Sequence, residues 1–125
     1  MFVRGIRGAT TVERNEAKEI LQATNELLQH IVAENGIVPE EIACIFVTVT
    51  QDLTATFPAQ AIRSMAGWEL VPLMCSLEVP VEGSLSRCIR LMVMVNTEKK
   101  QDEIHHVYLR EAMRLRPDLS KLTNA

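Results

Sequence analysis

A chain of 125 residues makes one domain, and at this size roughly two-thirds of the unfolded surface is buried on folding. With 47% hydrophobic and 23% charged residues, 5 Gly and 5 Pro, the disordered, collagen-like and coiled-coil classes are excluded. The formal charge of −3 leaves no electrostatic footprint for a nucleic-acid backbone or an anionic bilayer, yet the basic residues comprise nine Arg and only four Lys, a bias suited to planar, bidentate binding of carboxylate or phosphate.

The chain opens with a predicted strand, Met1 to Thr11, that ends in a Gly/Thr turn. Arg4 and Arg7 are an odd number apart and so point to opposite faces of it. From Glu16 to Asn35 the apolar positions Ala17, Ile20, Leu21, Leu27, Leu28, Ile31 and Val32 keep a helical period, with Asn15 as the expected cap and Gly36 as the left-handed stop. Glu19, Gln22, Glu26 and Gln29 form its solvent face. A single turn at Pro39–Glu41 precedes the strand Ala43–Thr50. The polar loop Gln51–Phe57 then leads into a short helix over Pro58–Ala66, closed by Gly67. Phe57 is either a plug over the core or a binding residue on that loop.

Trp68–Leu73 is the third predicted strand, running on into Met74–Glu78, and a turn at Pro80–Ser84 follows. The fourth strand, Arg87–Val95, is the most informative stretch. Ile89, Leu91, Val93 and Val95 line one face, while Cys88, Arg90, Met92 and Met94 line the other, which is apolar except for Arg90. A strand apolar on both sides is central and covered on both sides. One long helix cannot supply two layers, so the second cover is expected from another copy of the molecule, with Arg90 in or near that interface. A short strand around His106 and a helical turn after Leu109 complete the expected domain, residues 1–125, with 117–125 as a loose tail.

A buried Arg90 needs a partner, and Glu78 is the nearest candidate, with Arg7 also within reach of it from the first strand. This is either a structural ion-pair network or, with one glutamate facing two arginines, a site with positive charge left over for a small anion. Cys75 is a buried small residue, a ligand contact, or a thiolate activated by His105 or His106, although nothing orients either histidine. Cys44 and Cys88 are expected in the core. The three cysteines show no C-x-x-C spacing and the histidines no ligand pattern, so no metal or cofactor is expected. With no signal pattern and no apolar run approaching about 18 residues, a cytoplasmic location is expected. Composition and spacing thus describe a small oligomeric α/β protein with an arginine-lined anion site.

The whole chain resembles the monofunctional chorismate mutases of the bacterial, trimeric α/β class. The residues that carry the resemblance are Arg4–Glu13, Phe57-Pro58-Ala59 with Arg63 and Gly67-Trp68, Cys75–Val79, Cys88-Ile89-Arg90, His106–Leu109 and Leu115–Leu119. Met74 departs from it, since that position is more often small and polar. The resemblance implies an α/β (α+β) fold in which a mixed β-sheet packs against one long helix and short helices, three subunits forming a pseudo-α/β barrel with active sites at the interfaces. It also implies that Arg7, Cys75, Glu78, Arg90 and Tyr108 make one wall of the pocket, that Phe57 and Arg63 come from a neighbour, and that Arg116 lies near the mouth.

The implied reaction is rearrangement of chorismate to prephenate, with no cofactor. In it Arg90 meets the ether oxygen, Arg7 and Tyr108 the side-chain carboxylate, Glu78 and Cys75 the ring hydroxyl, and Phe57 the ring. Arg63 and Arg116 draw in the dianion. Two rivals stand beside this reading: the small trimeric enamine/imine deaminases, which need a water-activating acid, and a non-catalytic carboxylate-binding regulator.

Overall fold

The computed structural model describes residues 1–115. Its five strands, β1 (Phe2–Thr11), β2 (Ile42–Val49), β3 (Leu73–Leu77), β4 (Cys88–Thr97) and β5 (Val107–Tyr108), form one mixed sheet in the order β3-β2-β4-β1-β5. Both β1 and β2 pair antiparallel with β4, and the two edge strands join parallel. The double-sided apolar strand is therefore central, as its pattern predicts.

The long helix α1 (Ala17–Asn35) covers one face of the sheet. Its stripe Ile20, Ala23, Leu27, Leu28 and Ile31 packs on Ile6 of β1, Ile45 and Val47 of β2 and Ile89, Leu91, Val93 and Val95 of β4. Close approach explains Gly8, because a Cβ there would lie 2.6 Å from Ile31 Cδ1. The helix ends as expected, with Gly36 at φ 59° and its N–H donating to Val32 O. Asn15 does not cap its start: Asn15 Oδ1 accepts from the Thr54 and Ala55 amides and Nδ2 donates to Thr54 Oγ1. Those bonds tie down the loop that carries Phe57, while Glu19 Oε1 accepts from the Glu13 and Arg14 amides.

Two further expectations are corrected. The short helix α2 spans only Ala59–Arg63. Trp68–Pro72 is turn rather than strand, with Trp68 N–H donating to Met65 O and Val71 N–H to Trp68 O. Trp68 and Val71 reach the core from a bend and are buried, whereas Leu70 points to solvent.

The opposite face of the sheet has no α-helix over it among the described residues; only the short 3-10 helix Arg110–Arg114 packs at one end, Ala112 against Ala9, Cys88 and Tyr108. Register places Gly5, Arg7 and Ala9 of β1, Arg90, Met92 and Met94 of β4, Cys44, Phe46 and Thr48 of β2, and Met74 and Ser76 of β3 on that face. Phe46 is 45% and Met74 68% exposed, large apolar groups left in solvent in the single chain. No helix among the described residues is long and apolar enough to cross a membrane.

Asn35, 2% exposed, joins the two ends of the fold. Its Nδ2 donates to Ile31 O and His105 O, and its Oδ1 accepts from the His105 amide. Asn35→Ala strips three hydrogen bonds from buried or half-buried groups, and it is expected to lower stability by about 2–4 kcal/mol. Urea denaturation checks this; a loss below about 0.5 kcal/mol would show that water replaces the amide freely.

Candidate active site

Four of the eight residues singled out in the sequence meet on the open face. Arg7, Glu78, Arg90 and Tyr108 line one hollow of about 240 Å³, together with Thr48, Phe46 and Met92. Adjacency in the sheet brings them together. Thr48 of β2 stands opposite Arg90 of β4, Ala9 of β1 stands on the other side of Arg90, and Ala9 pairs in turn with Tyr108 of β5. Glu78 lies one residue beyond β3, where its amide donates to Val49 O and extends the ladder with β2.

Both oxygens of Glu78 are committed. Oε1 meets Arg90 Nη1 at 3.2 Å, and Oε2 accepts a short hydrogen bond from the Thr48 hydroxyl. The Arg90 guanidinium, among the described residues, uses only that one N–H. Among the described residues the Arg7 side chain makes no hydrogen bond, while its backbone N–H donates to His106 Nδ1 at 2.8 Å. The Tyr108 side chain is 2% exposed, and its hydroxyl has no partner among the described residues. The hollow therefore holds two guanidinium groups against one carboxylate, with unused donors of the kind that carboxylates take.

Cys75 is not in this hollow. It lies with Phe57 in a second one of about 560 Å³ under the Thr54–Pro58 loop. Pleating is the reason: Cys75 shares a face with its register partner Val47, whereas Ser76 and Thr48 share the other, and Glu78 is three residues on from Cys75. The single wall inferred from the resemblance is thus split within one chain, and Cys75 is exposed rather than buried. Phe57, 70% exposed, is no plug over the core. Arg63 ends α2, exposed and outside both hollows, and Arg116 lies outside the described residues.

Sequence reasoning missed Thr48, which aligns Glu78, and His106, which accepts the Arg7 amide. The first was detectable from the β2 alternation once β4 was its neighbour; the second needs the tertiary path of the chain.

Beneath Arg90, Cys88 is 2% exposed and packs with Ala9, Tyr108 and Ala112. Burial pushes its thiol up from an ordinary 9.0 to about 11; Arg90 opposes the rise, while Glu78 and Asp52 add to it. A raised folded-state pKa favours the protonated native form below pH 9, and that contribution is lost as pH climbs from 9 toward 11. The stability difference between the native protein and Cys88→Ala should be flat from pH 7 to 8.5 and then shrink by up to about 2 kcal/mol. A difference that stays constant to pH 11 would contradict the assignment.

The open face of this α/β sheet thus brings together two arginines, a committed carboxylate and a tyrosine whose hydroxyl has no partner among the described residues. Residues 3–119 match the family described as chorismate mutase type I. The chorismate mutase AroH of Bacillus subtilis strain 168 is 50% identical over 124 residues, 99% of this chain and 98% of the relative, and that of Thermus thermophilus is 55% identical over 119 residues, 94% and 97%. A solved chorismate mutase from Clostridium thermocellum superposes with a TM-score of 0.86 at 49% identity, covering 89% of this chain and 98% of that one. The chain belongs to the chorismate mutase type I family.

Proposed function

We propose that this chorismate mutase, an isomerase converting chorismate to prephenate, works at sites completed between three copies of the chain. The observation that carries the reading is the Arg7–Glu78–Arg90–Tyr108 hollow on an uncovered sheet face. At about 240 Å³ it falls below the roughly 300–1,000 Å³ usual for small-molecule sites, so a second wall is needed. The Phe57–Cys75 hollow of a neighbour supplies that wall, and Arg63 comes with it. Arg116 draws in the dianionic substrate near the mouth.

In the reaction an ether C–O bond breaks as a C–C bond forms within one molecule, and no proton moves. Catalysis consists of holding the folded, pseudo-diaxial conformer and stabilising its polarised transition state. Arg90 donates to the ether oxygen as negative charge gathers there, and Arg7 and Tyr108 hold the side-chain carboxylate. Glu78 meets the ring hydroxyl from one wall, and Cys75 and Phe57 contact the substrate from the other. The committed state of both Glu78 oxygens speaks against the deaminase reading, which needs a carboxyl free to activate water. Three unpaired cysteines suit a cytoplasmic setting.

Arg90→Ala should lower kcat by at least about 10²–10³-fold, the loss typical of one oxyanion donor, and Arg90→Lys should restore only part because an ammonium lacks the fork. A change in KM alone, followed by the fall in chorismate absorbance, would sink the role at the ether oxygen.

The shared site is tested by mixing. Arg90→Ala and Arg63→Ala chains, each nearly inactive, are unfolded together in equal amounts and refolded. In a closed three-fold ring about one-quarter of sites then pair an intact Arg90 with a neighbour's intact Arg63, so activity should climb toward roughly a quarter of the native value. No recovery in trimers verified as mixed by mass spectrometry would remove Arg63 from the site or confine the site to one subunit.

A further inference from the structure

The start of β4, which carries Arg90, is built on an unusual backbone. Arg87 has φ 47°, in the left-handed region that residues other than Gly, Asn and Asp adopt rarely. Its amide N–H donates to both carboxylate oxygens of Asp52, at 3.1 and 2.9 Å. The Thr50 hydroxyl donates to Asp52 Oδ1 at 2.6 Å and accepts the Cys88 amide at 2.9 Å, so the amides of both residues that open the strand end in one Asp52–Thr50 unit. The Arg87 side chain closes the turn from the other side, its Nε donating to Val12 O, while Arg87 O accepts from the Val12 amide.

We infer that Asp52 is a positioning residue for catalysis: its carboxylate holds Arg87 in the left-handed turn, and that turn fixes the tilt at which β4 presents Arg90. This rests on the role proposed above for Arg90. Cys88 and Arg90 share one face of the strand two residues apart, so the angle at which β4 enters the sheet at Arg87 is passed along the paired backbone to Arg90. Among the described residues, the Arg90 side chain itself is held only by Glu78, from the segment that follows β3, while its backbone lies between Ala9 and Thr48. The Cys88 thiol, raised chiefly by burial, feels Arg90, Glu78 and Asp52 together, which agrees with one electrostatic neighbourhood. Asp52 also sits five residues before Phe57 on the same loop. One carboxylate thereby fastens the loop of one half-site to the strand of the other.

Displacements of about 1 Å can cost 10²-fold in rate, so Asp52→Ala should lower kcat about 10- to 100-fold while KM changes less than about threefold. Arg87→Gly takes the left-handed conformation without help and should stay within about threefold of the native kcat. Its decisive use is in combination: Asp52→Ala with Arg87→Gly should recover most of the lost kcat, a rescue that general destabilisation does not produce. The ¹⁵Nε resonance of Arg90 should move in Asp52→Ala and return in the double variant. Should Asp52→Ala fail to fold, Asp52→Asn, alone and with Arg87→Gly, makes the same comparison.

An Asp52→Ala kcat within twofold of native, beside a disabled Arg90→Ala measured in parallel, overturns the inference. So does a large loss that Arg87→Gly leaves unrepaired. If Arg90→Ala itself keeps its kcat, the role of Arg90 fails instead, and the resonance still decides whether Asp52 orients it.

Discussion

The structure depends on a mismatch between one strand and its surroundings. β4 is apolar on both faces apart from Arg90, yet the described residues hold a single long helix, and that helix covers only the Ile89–Val95 side. The Met92–Met94 side is left beside Phe46 and Met74, large groups whose hydration a packed partner would relieve. A site on such a face changes character when the face is covered. Exposed ion pairs in water are weak; the same charges walled off from solvent act at lower effective dielectric and at fixed geometry. Arg90 and Glu78 are 42% and 21% exposed in the single chain, half-way to the environment in which they would act most strongly.

The electrostatic layout suits a reaction in which charge is redistributed and no proton is passed. Glu78, locked between Thr48 and Arg90, orients a guanidinium more than it offers a base. The donors left over in the hollow, among the described residues, belong to Arg7, the rest of Arg90 and the Tyr108 hydroxyl. Such groups stabilise developing negative charge without reorganising. The anion that fits here is recognised by direction as well as by charge, which explains why arginine and tyrosine are found where lysine could have supplied attraction alone.

Elements whose pattern is local were legible in the sequence. The α1 stripe and the β4 alternation are periodic over many residues, and Gly36 marks the helix end by its own conformational freedom. Trp68–Pro72 misleads because an apolar run can reach the core from a turn, and only the hydrogen bonds distinguish the two. Asn15 misleads because its side chain finds a better-placed use, the Thr54 and Ala55 amides 39 and 40 residues away. In the site, the Arg90–Glu78 pair could be argued from the cost of a buried charge, and the separation of Cys75 from Glu78 follows from their odd spacing, the same parity that separates Arg4 from Arg7. Thr48 and His106 were out of reach because their roles depend on which strands are neighbours. Tyr108 and Arg63 entered by resemblance alone, since neither carries a spacing that chemistry requires.

What remains is how so small a fold holds several arginines to the tolerance such catalysis requires. Tyr108 sits on a two-residue strand, too short to fix itself. Its neighbours compensate: Leu109 N–H donates to Ala9 O, Asn35 clasps His105, and His106 accepts from Arg7. At the far end of β1 two non-glycine residues, Arg87 and Arg110, adopt left-handed backbone, and each side chain donates to a carbonyl of Thr11 or Val12. Both turns therefore lean on the same end of β1, one leading into the strand of Arg90 and the other out of the strand of Tyr108. Strained backbone persists only where the surroundings over-determine it. Here the strain flanks the hollow on two sides, so the residues that set its width are fixed by the end of a strand that is itself central to the core.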